Sequence, residues 1–179
     1  MARILAFAGS NSTKSINHQL ITYVVKEFIE HQVRVLTLNT YSLAIYSEDL
    51  ERNEGFPGMA LALHQDIADA DALVIAVGEH NGGWSAFFKN IIDWLSRIDR
   101  NFLAGKKILL MSTSPGQRGA IGALEQAKNV LPRFGAEILE SFSVPSFYEN
   151  FSVEEQEITN ETLLLGLKEV LSTFAHQIK

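Results

Sequence analysis

Five short apolar runs punctuate the chain, separated by stretches long enough for a helix. Arg3–Ala8 reads RILAFA and stops at Gly9, and Val33–Leu38 reads VRVLTL. Ala72–Val77 (ALVIAV) has no polar interruption, the pattern of a central strand covered on both faces. Lys107–Met111 (KILLM) repeats it, and Glu137–Val144 (EILESFSV) makes a weaker fifth strand. Between Ser15 and Glu30, apolar residues at 16, 20, 21, 24, 25, 28 and 29 recur at spacings of three and four, which puts one stripe on a helix. Further helical stretches are predicted at 57–70, 84–99, 119–134 and 154–177. Ser15 and Asn17 suit N-terminal caps of the first helix, and Gly135 suits the end of the fourth.

Strand and helix alternating five times implies right-handed crossovers, hence an α/β fold with a parallel sheet and helices on both faces. No linker, repeat or low-complexity tract breaks the chain, so residues 1–179 read as a single domain. Asn39–Gly55 stands apart as a long aperiodic segment rich in Tyr, Ser, Asp and Glu, and loops of that length in compact domains are often functional.

Composition narrows the chemistry. A chain of 179 residues can bury roughly 70% of its unfolded surface in one core. It contains no cysteine, which removes disulfides, thiolate metal sites and a cysteine nucleophile; no metal site is assigned. The balance of 15 basic and 21 acidic residues gives a net charge of −6 without a basic run, against a nucleic-acid partner. The apolar runs are far shorter than the roughly 20 residues a membrane span needs. The N-terminal run lacks the form of a secretory signal and reads as a first strand, so the expectation is a cytoplasmic protein with no membrane partner.

In an open parallel sheet, ligands bind beyond the carboxyl ends of the strands. After the first strand, Gly9-Ser10-Asn11-Ser12-Thr13-Lys14-Ser15-Ile16-Asn17 leads small hydroxyl side chains into a helix N-terminus. Free N–H groups and the helix dipole there attract an anion. The segment is neither GxxxxGK[ST] nor GxGxxG; it fits a terminal phosphate and an ordinary Ser/Asn-rich cap and turn equally well. After the third strand, Gly78-Glu79-His80-Asn81-Gly82-Gly83 offers backbone amides to a flat heterocycle, and His80 fits either a contact to such a ring or a plain loop position. Trp84, Phe87, Phe88, Ile91 and Trp94 follow at helical spacing and read as core or subunit interface, with Lys89 and Asp93 spaced to pair on the surface. After the fourth strand, Ser112-Thr113-Ser114-Pro115-Gly116-Gln117-Arg118-Gly119-Ala120 fits a close approach to a planar ligand, or a plain connection, with Arg118 read as a solvated loop residue. Topology brings these three loops to one sheet edge, which favours a bound nucleotide more than any one of them does.

With these residues in view, the chain resembles the NADPH-dependent FMN reductase family, which includes quinone, azo and chromate reductases. The resemblance covers nearly the whole chain. Gly9-Ser10-x-x-x-x-Ser15-x-Asn17 resembles the family's phosphate loop, and Tyr41–Glu51 (YSLAIYSEDLE) its acidic stretch. Glu79-x-Asn81 followed by Lys89-Asn90-x-Ile92-Asp93-Trp94 matches its most specific signature, and Ser114-x-Gly116-x-x-Gly119 its third loop. Departures are Ser12 in place of an arginine, Gly78 in place of a proline, His80 in place of a tyrosine, and Ser85-Ala86 in place of Pro-Gly.

The resemblance implies a flavodoxin-like three-layer αβα sandwich whose five-stranded parallel sheet runs 2-1-3-4-5. It implies non-covalent FMN and a homodimer or homotetramer. NADPH or NADH would pass hydride to the flavin, and the flavin would pass it on to a quinone, a free flavin or another small-molecule electron acceptor. The flavin carries the chemistry, so no catalytic side chain is assigned. Ser10, Ser12, Ser15, Ile16 and Asn17 are expected at the phosphate, and Glu79, His80, Asn81, Gly82, Ser114, Pro115, Gly116 and Gly119 around the ring. Two further readings are an electron carrier, which a modest −6 supports weakly, and a binding or regulatory protein that kept the fold while losing flavin, raised by Ser12, Gly78 and His80. A serine hydrolase is the weakest, since neither Ser10 nor Ser114 sits in a GxSxG elbow.

Overall fold

The computed structural model describes residues 1–179. Five parallel strands run β1 (Arg3–Ala8), β2 (Gln32–Leu36), β3 (Ala72–Val77), β4 (Lys107–Thr113) and β5 (Glu137–Val144). Seven helices connect and flank them: α1 (Ile16–Val24), α2 (Glu48–Glu54), α3 (Gly58–Asp69), α4 (Ala86–Ile98), α5 (Ile121–Val130), α6 (Phe147–Asn150) and α7 (Glu161–Gln177). The spatial strand order is β2-β1-β3-β4-β5, the order 2-1-3-4-5 of a flavodoxin-like fold. The chain leaves β1 toward β2 and then crosses back to β3, so the order reverses beside β1 and a crevice opens above the carboxyl ends of β1 and β3.

Alternation along the strands decides what packs on each face. Leu5 and Phe7 of β1, Leu73, Ile75 and Val77 of β3, and Ile108 and Leu110 of β4 face one way, into a core with residues of α3, α4 and α5. On the other face β1 and β3 present Ala6, Ala8, Ala72 and Ala76, in a core shared with α1 and α7. Small side chains there let α1 lie close across β1, β3 and β4, which matters for the site.

The bounds of β1, β3 and β5 coincide with the apolar runs. Elsewhere the structure corrects the expectation. The second strand ends at Leu36 rather than Leu38, because Leu38 turns inward in a 3-10 turn over Leu38–Thr40. The fourth reaches Thr113, since Ser112 and Thr113 continue to pair with Ser143 and Val144 of β5. The first helix ends at Val24 and tightens into a 3-10 turn over Val25–Glu27 instead of running to Glu30. The last begins at Glu161, not 154: Asn160 caps it by accepting the Leu163 N–H (3.1 Å), and the preceding residues form a short ladder of Phe151-Ser152 with Glu157-Ile158. Asn39–Gly55 holds α2, capped by Ser47, which accepts the Leu50 N–H (3.1 Å). Gly135 does end the fourth helical stretch, at φ +92°, after Leu131–Phe134 has tightened to a 3-10 turn. No helix is long and apolar enough to cross a membrane.

Candidate functional site

The loop after β1 is shaped by its own serines. The Gly9 N–H donates to Ala76 O (2.8 Å), continuing the sheet one residue past β1. Ser10 Oγ accepts the Ser12 N–H, Ser12 Oγ accepts the Lys14 N–H, and Ser15 Oγ caps α1 by accepting the His18 N–H, each at 3.2 Å. A hydroxyl that accepts still has its own O–H to give, and none of these three donates within the chain. The backbone N–H groups of Asn11, Ile16 and Asn17 also have no partner. The last two belong to the first turn of α1, where unpaired amides and the helix dipole favour negative charge. Lys14 stands exposed in the same loop. Six donors without a partner in the chain and one exposed ammonium thus lie within this one short loop, a set an anion can draw on.

The Asn17 side chain is committed elsewhere. It is buried, its Nδ2 donates to Thr113 O and its Oδ1 accepts the Thr113 N–H, both at 3.1 Å. That pair of bonds mimics a strand partner and fixes the start of α1 to the end of β4. The Asn17 backbone N–H and the second hydrogen of its Nδ2 remain without a partner in the chain.

After β3 the chain makes a hairpin: Glu79 pairs with Trp84 and His80 with Gly83, leaving Asn81 (φ +53°) and Gly82 (φ +82°) as the turn. Two successive positive φ values are what an Asn-Gly type I′ turn supplies. The hairpin is stitched to α5. The Trp84 backbone N–H donates to Gln126 Oε1 and its indole N–H to Ala123 O, both at 3.0 Å. The Glu79 carboxylate accepts the Ala123 N–H (3.1 Å). Ala120, the residue preceding α5, is itself left-handed (φ +63°) and provides no side-chain cap, so Glu79 caps that helix from across the site. Gly122 must be a glycine for this: a Cβ there would lie 2.8 Å from the Glu79 carboxylate.

The third loop is held from below. Ser112 Oγ (2.7 Å) and Ser143 Oγ (2.8 Å) both donate to Gly119 O, and Gly119 at φ +58° has no room for a Cβ against Ser143.

The three loops border one groove. Ser10, Ser12, Ser15, Ile16 and Asn17 line it from the first loop, Glu79 and His80 from the second, and Ser114 and Pro115 from the third. Asn81 and Gly82 sit at the exposed hairpin tip, and Gly116 and Gly119 lie outside the lining. The groove also takes in Thr113 and Ser85, which the sequence places in the third and second loops without assigning them to the site, and Tyr148, for which the sequence gives no sign. Ser85 carries a readable signal, a serine just before an apolar helical run: its Oγ accepts the Phe88 N–H (3.1 Å) to cap α4 and donates to Gly9 O (3.0 Å).

The signature on α4 is largely scaffold. Asn90 accepts the Tyr46 N–H (2.9 Å) and donates to Ala44 O (3.0 Å), and the indole N–H of the fully buried Trp94 donates to the same carbonyl (2.8 Å). Lys89 and Asp93 pair at 2.6 Å along the helix surface. Glu51 closes the latch from α2, accepting from Arg97 Nε (2.9 Å) and Nη2 (3.2 Å) and from the Tyr46 hydroxyl (2.9 Å). The Arg97 hydrogen bonds, then that of Tyr46, hold the Glu51 carboxyl below its ordinary range. A lowered carboxyl stabilises the fold above the unfolded-state value, and the contribution fades as pH falls through the folded one. Acidification is therefore expected to loosen the 41–51 latch, seen as a change in Trp94 fluorescence, since Tyr46 meets that indole edge-on at 5.1 Å. Glu51→Gln should lose this acid step; an identical acid profile in wild type and variant would count against the latch.

Comparison with known proteins bears on this arrangement. The family model described as NADPH-dependent FMN reductase matches residues 2–149. A quinone reductase of Escherichia coli strain K12 is 36% identical over 89 residues, 50% of this chain and 47% of that protein, so the chain spans about half the length of that relative. A 2-hydroxy-1,4-benzoquinone reductase of Burkholderia sp is 30% identical over 129 residues, 72% of this chain and 69% of the other. Among solved structures, the flavoenzyme NAD(P)H:(acceptor) oxidoreductase FerB of Paracoccus denitrificans superposes with a TM-score of 0.79 at 26% identity, covering 99% of this chain and 97% of that one.

Proposed function

We infer that this protein, which belongs to the NADPH-dependent FMN reductase family, acts as a single-domain cytoplasmic FMN-dependent NAD(P)H oxidoreductase on a quinone, a free flavin or another small acceptor. The observation that carries the reading is the unspent donor set of the first loop. A phosphate dianion needs several donors at once, and the Ser10, Ser12 and Ser15 hydroxyls supply them with the Asn11, Ile16 and Asn17 amides. Lys14 adds the charge that the Ser12 position does not. The residues present therefore fit the FMN phosphate.

At the other end of the groove, Gly78 adds no side chain, and a Cβ there would meet only Asn17 Nδ2, at 3.5 Å. This leaves the Gly78–His80 and Ser114–Pro115 backbones open to a flat ring. Bound there, FMN would supply the hydride chemistry, with NADPH or NADH as donor and the small molecule as acceptor. The chain's own task is to bind, orient and hold the loops rigid, through Asn17, Glu79 and Ser85; it needs no acid or base. The flavin-free reading is not favoured, since the first loop keeps its donors despite Ser12, and the carrier reading is not favoured by a family and relatives described as reductases. Assembly as a homodimer or homotetramer is part of the same proposal, supported by the exposed apolar Ile45 (82%) and Leu61 (45%) on the loop and helix that flank α4.

Titration of the purified protein with FMN, followed by NAD(P)H and a quinone, tests the proposal. Bound flavin absorbance and quinone-dependent NAD(P)H consumption are expected, with light scattering giving a mass two or four times that of one chain. A protein that stays colourless and ignores added FMN would sink it.

A further inference from the structure

The groove contains one phenol ring, that of Tyr148, far along the chain from the three loops that define the site. We propose that Tyr148 forms a wall of the groove and packs against the bound flavin nucleotide; this rests on the FMN reading above.

The setting of the ring is built, not incidental. Tyr148 is 66% exposed, whereas its neighbour Phe147 is fully buried and stacks on Phe151 with centroids 4.7 Å apart. Tyr148 meets the Phe147 ring edge-on at 5.4 Å. The backbone here is hooked to the third loop: the Ser146 N–H donates to Gly116 O (2.9 Å) and the Phe147 N–H to Ser114 O (3.0 Å). The chain enters α6 through Ser146 at φ +44°, a left-handed conformation that a serine adopts at some cost. Asn150 closes the turn by donating to Pro145 O (2.9 Å). The position of Tyr148 is thus fixed relative to the loop proposed to face the flavin, while its own ring stays bare beside the groove.

The chemistry of the lining says what such a ring would serve. The groove is rich in hydroxyls and amides but offers only Ile16 and Pro115 as other apolar surface. A flavin nucleotide needs both kinds of contact, donors for its phosphate and a flat apolar partner for its organic body. Tyr148 supplies apolar area with a polar tip at low conformational cost. A ligand in the groove would provide the burial that the free protein leaves unmade at this phenol ring.

The test measures FMN dissociation constants of the full chain by equilibrium dialysis, with apoprotein melting alongside. Tyr148→Ala is expected to weaken FMN binding by about tenfold, in line with ring-stacking substitutions elsewhere. Tyr148→Phe should bind within about threefold of wild type, because the ring is retained. Both apoproteins should melt with wild type, since the side chain is exposed. Wild-type affinity in Tyr148→Ala overturns this proposal alone, and so does a loss of affinity matched by an equal loss of apoprotein stability. A wild-type protein that takes up no FMN overturns the reading beneath it as well.

Discussion

Asn17→Leu is expected to destabilise the apoprotein by about 2–4 kcal/mol and to weaken FMN binding along with it. Leucine keeps the branched shape of asparagine but is bulkier, so overpacking at the buried start of α1 adds to the loss. Both hydrogen bonds to Thr113 disappear, and Thr113 is only 1% exposed. Its N–H and C=O then have no partner, at about 1–3 kcal/mol for each orphaned buried group. For a chain of this length the melting temperature should fall by about 5–15 °C. The functional loss follows from the same bonds. They hold the start of α1 on β4, and the start of α1 carries the Ile16 and Asn17 amides that the phosphate would use. A melting curve superimposable on wild type would mean that the link between the first and third loops carries no weight.

That link also marks how far the sequence could be read. Ser15 and Asn17 look alike locally, each a plausible cap for the first helix, and only Ser15 has that role. Asn17 finds its partner 96 residues further along. Glu79 likewise reaches 44 residues to α5, a helix whose N-terminus lacks a cap of its own, so nothing near either residue announces the pairing. Where the signal is local the reading holds: β1, β3 and β5 have their predicted bounds because uninterrupted or alternating apolar runs are bounded by turn residues. The strand order did not come from periodicity; the resemblance to a known family supplied it.

Two further features carry local signals of different strength. Asn81-Gly82 is the strongest short signal for a two-residue hairpin, and its turn lies outside the groove, away from the ring-facing position expected of its amides. The α2 segment EDLERNE has no apolar stripe, so periodicity is silent on it. Its order comes from the Ser47 cap and from the grip of Arg97 and Tyr46 on Glu51. Tyr148 had no local signal at all; it enters the site only because Ser146 and Phe147 bond to the third loop.

Gly9→Ala should be at least as damaging to binding, and for a reason that the motif does not suggest. A glycine opening an anion-binding loop commonly serves to let the backbone approach the ligand. In the structure the missing side chain of Gly9 is occupied from the protein side: an added Cβ would lie 2.5 Å from Phe88 Cδ2 and 2.6 Å from Phe88 Cγ. Neither partner is free to yield. Phe88 is 1% exposed and meets Trp84 edge-on at 5.1 Å in the main core. Gly9 is pinned on both sides, its N–H to Ala76 O (2.8 Å) and its C=O to Ser85 Oγ (3.0 Å). Overpacking of this kind costs about 1–3 kcal/mol or more. The strain falls where the Ser10–Ser15 loop begins, so FMN affinity is expected to drop by about tenfold or more if the donors shift by even a fraction of an ångström. Gly116→Ala is the control, because a Cβ there meets nothing nearer than Ser114 Oγ at 3.8 Å and the residue has no positive φ. Phe88→Leu should partly rescue Gly9→Ala by vacating the contested space. A double-mutant cycle would then show coupling of about 0.5–3 kcal/mol in the rescuing direction. Gly9→Ala melting with Gly116→Ala, or additive single effects, would instead return Gly9 to the role of a ligand-facing glycine.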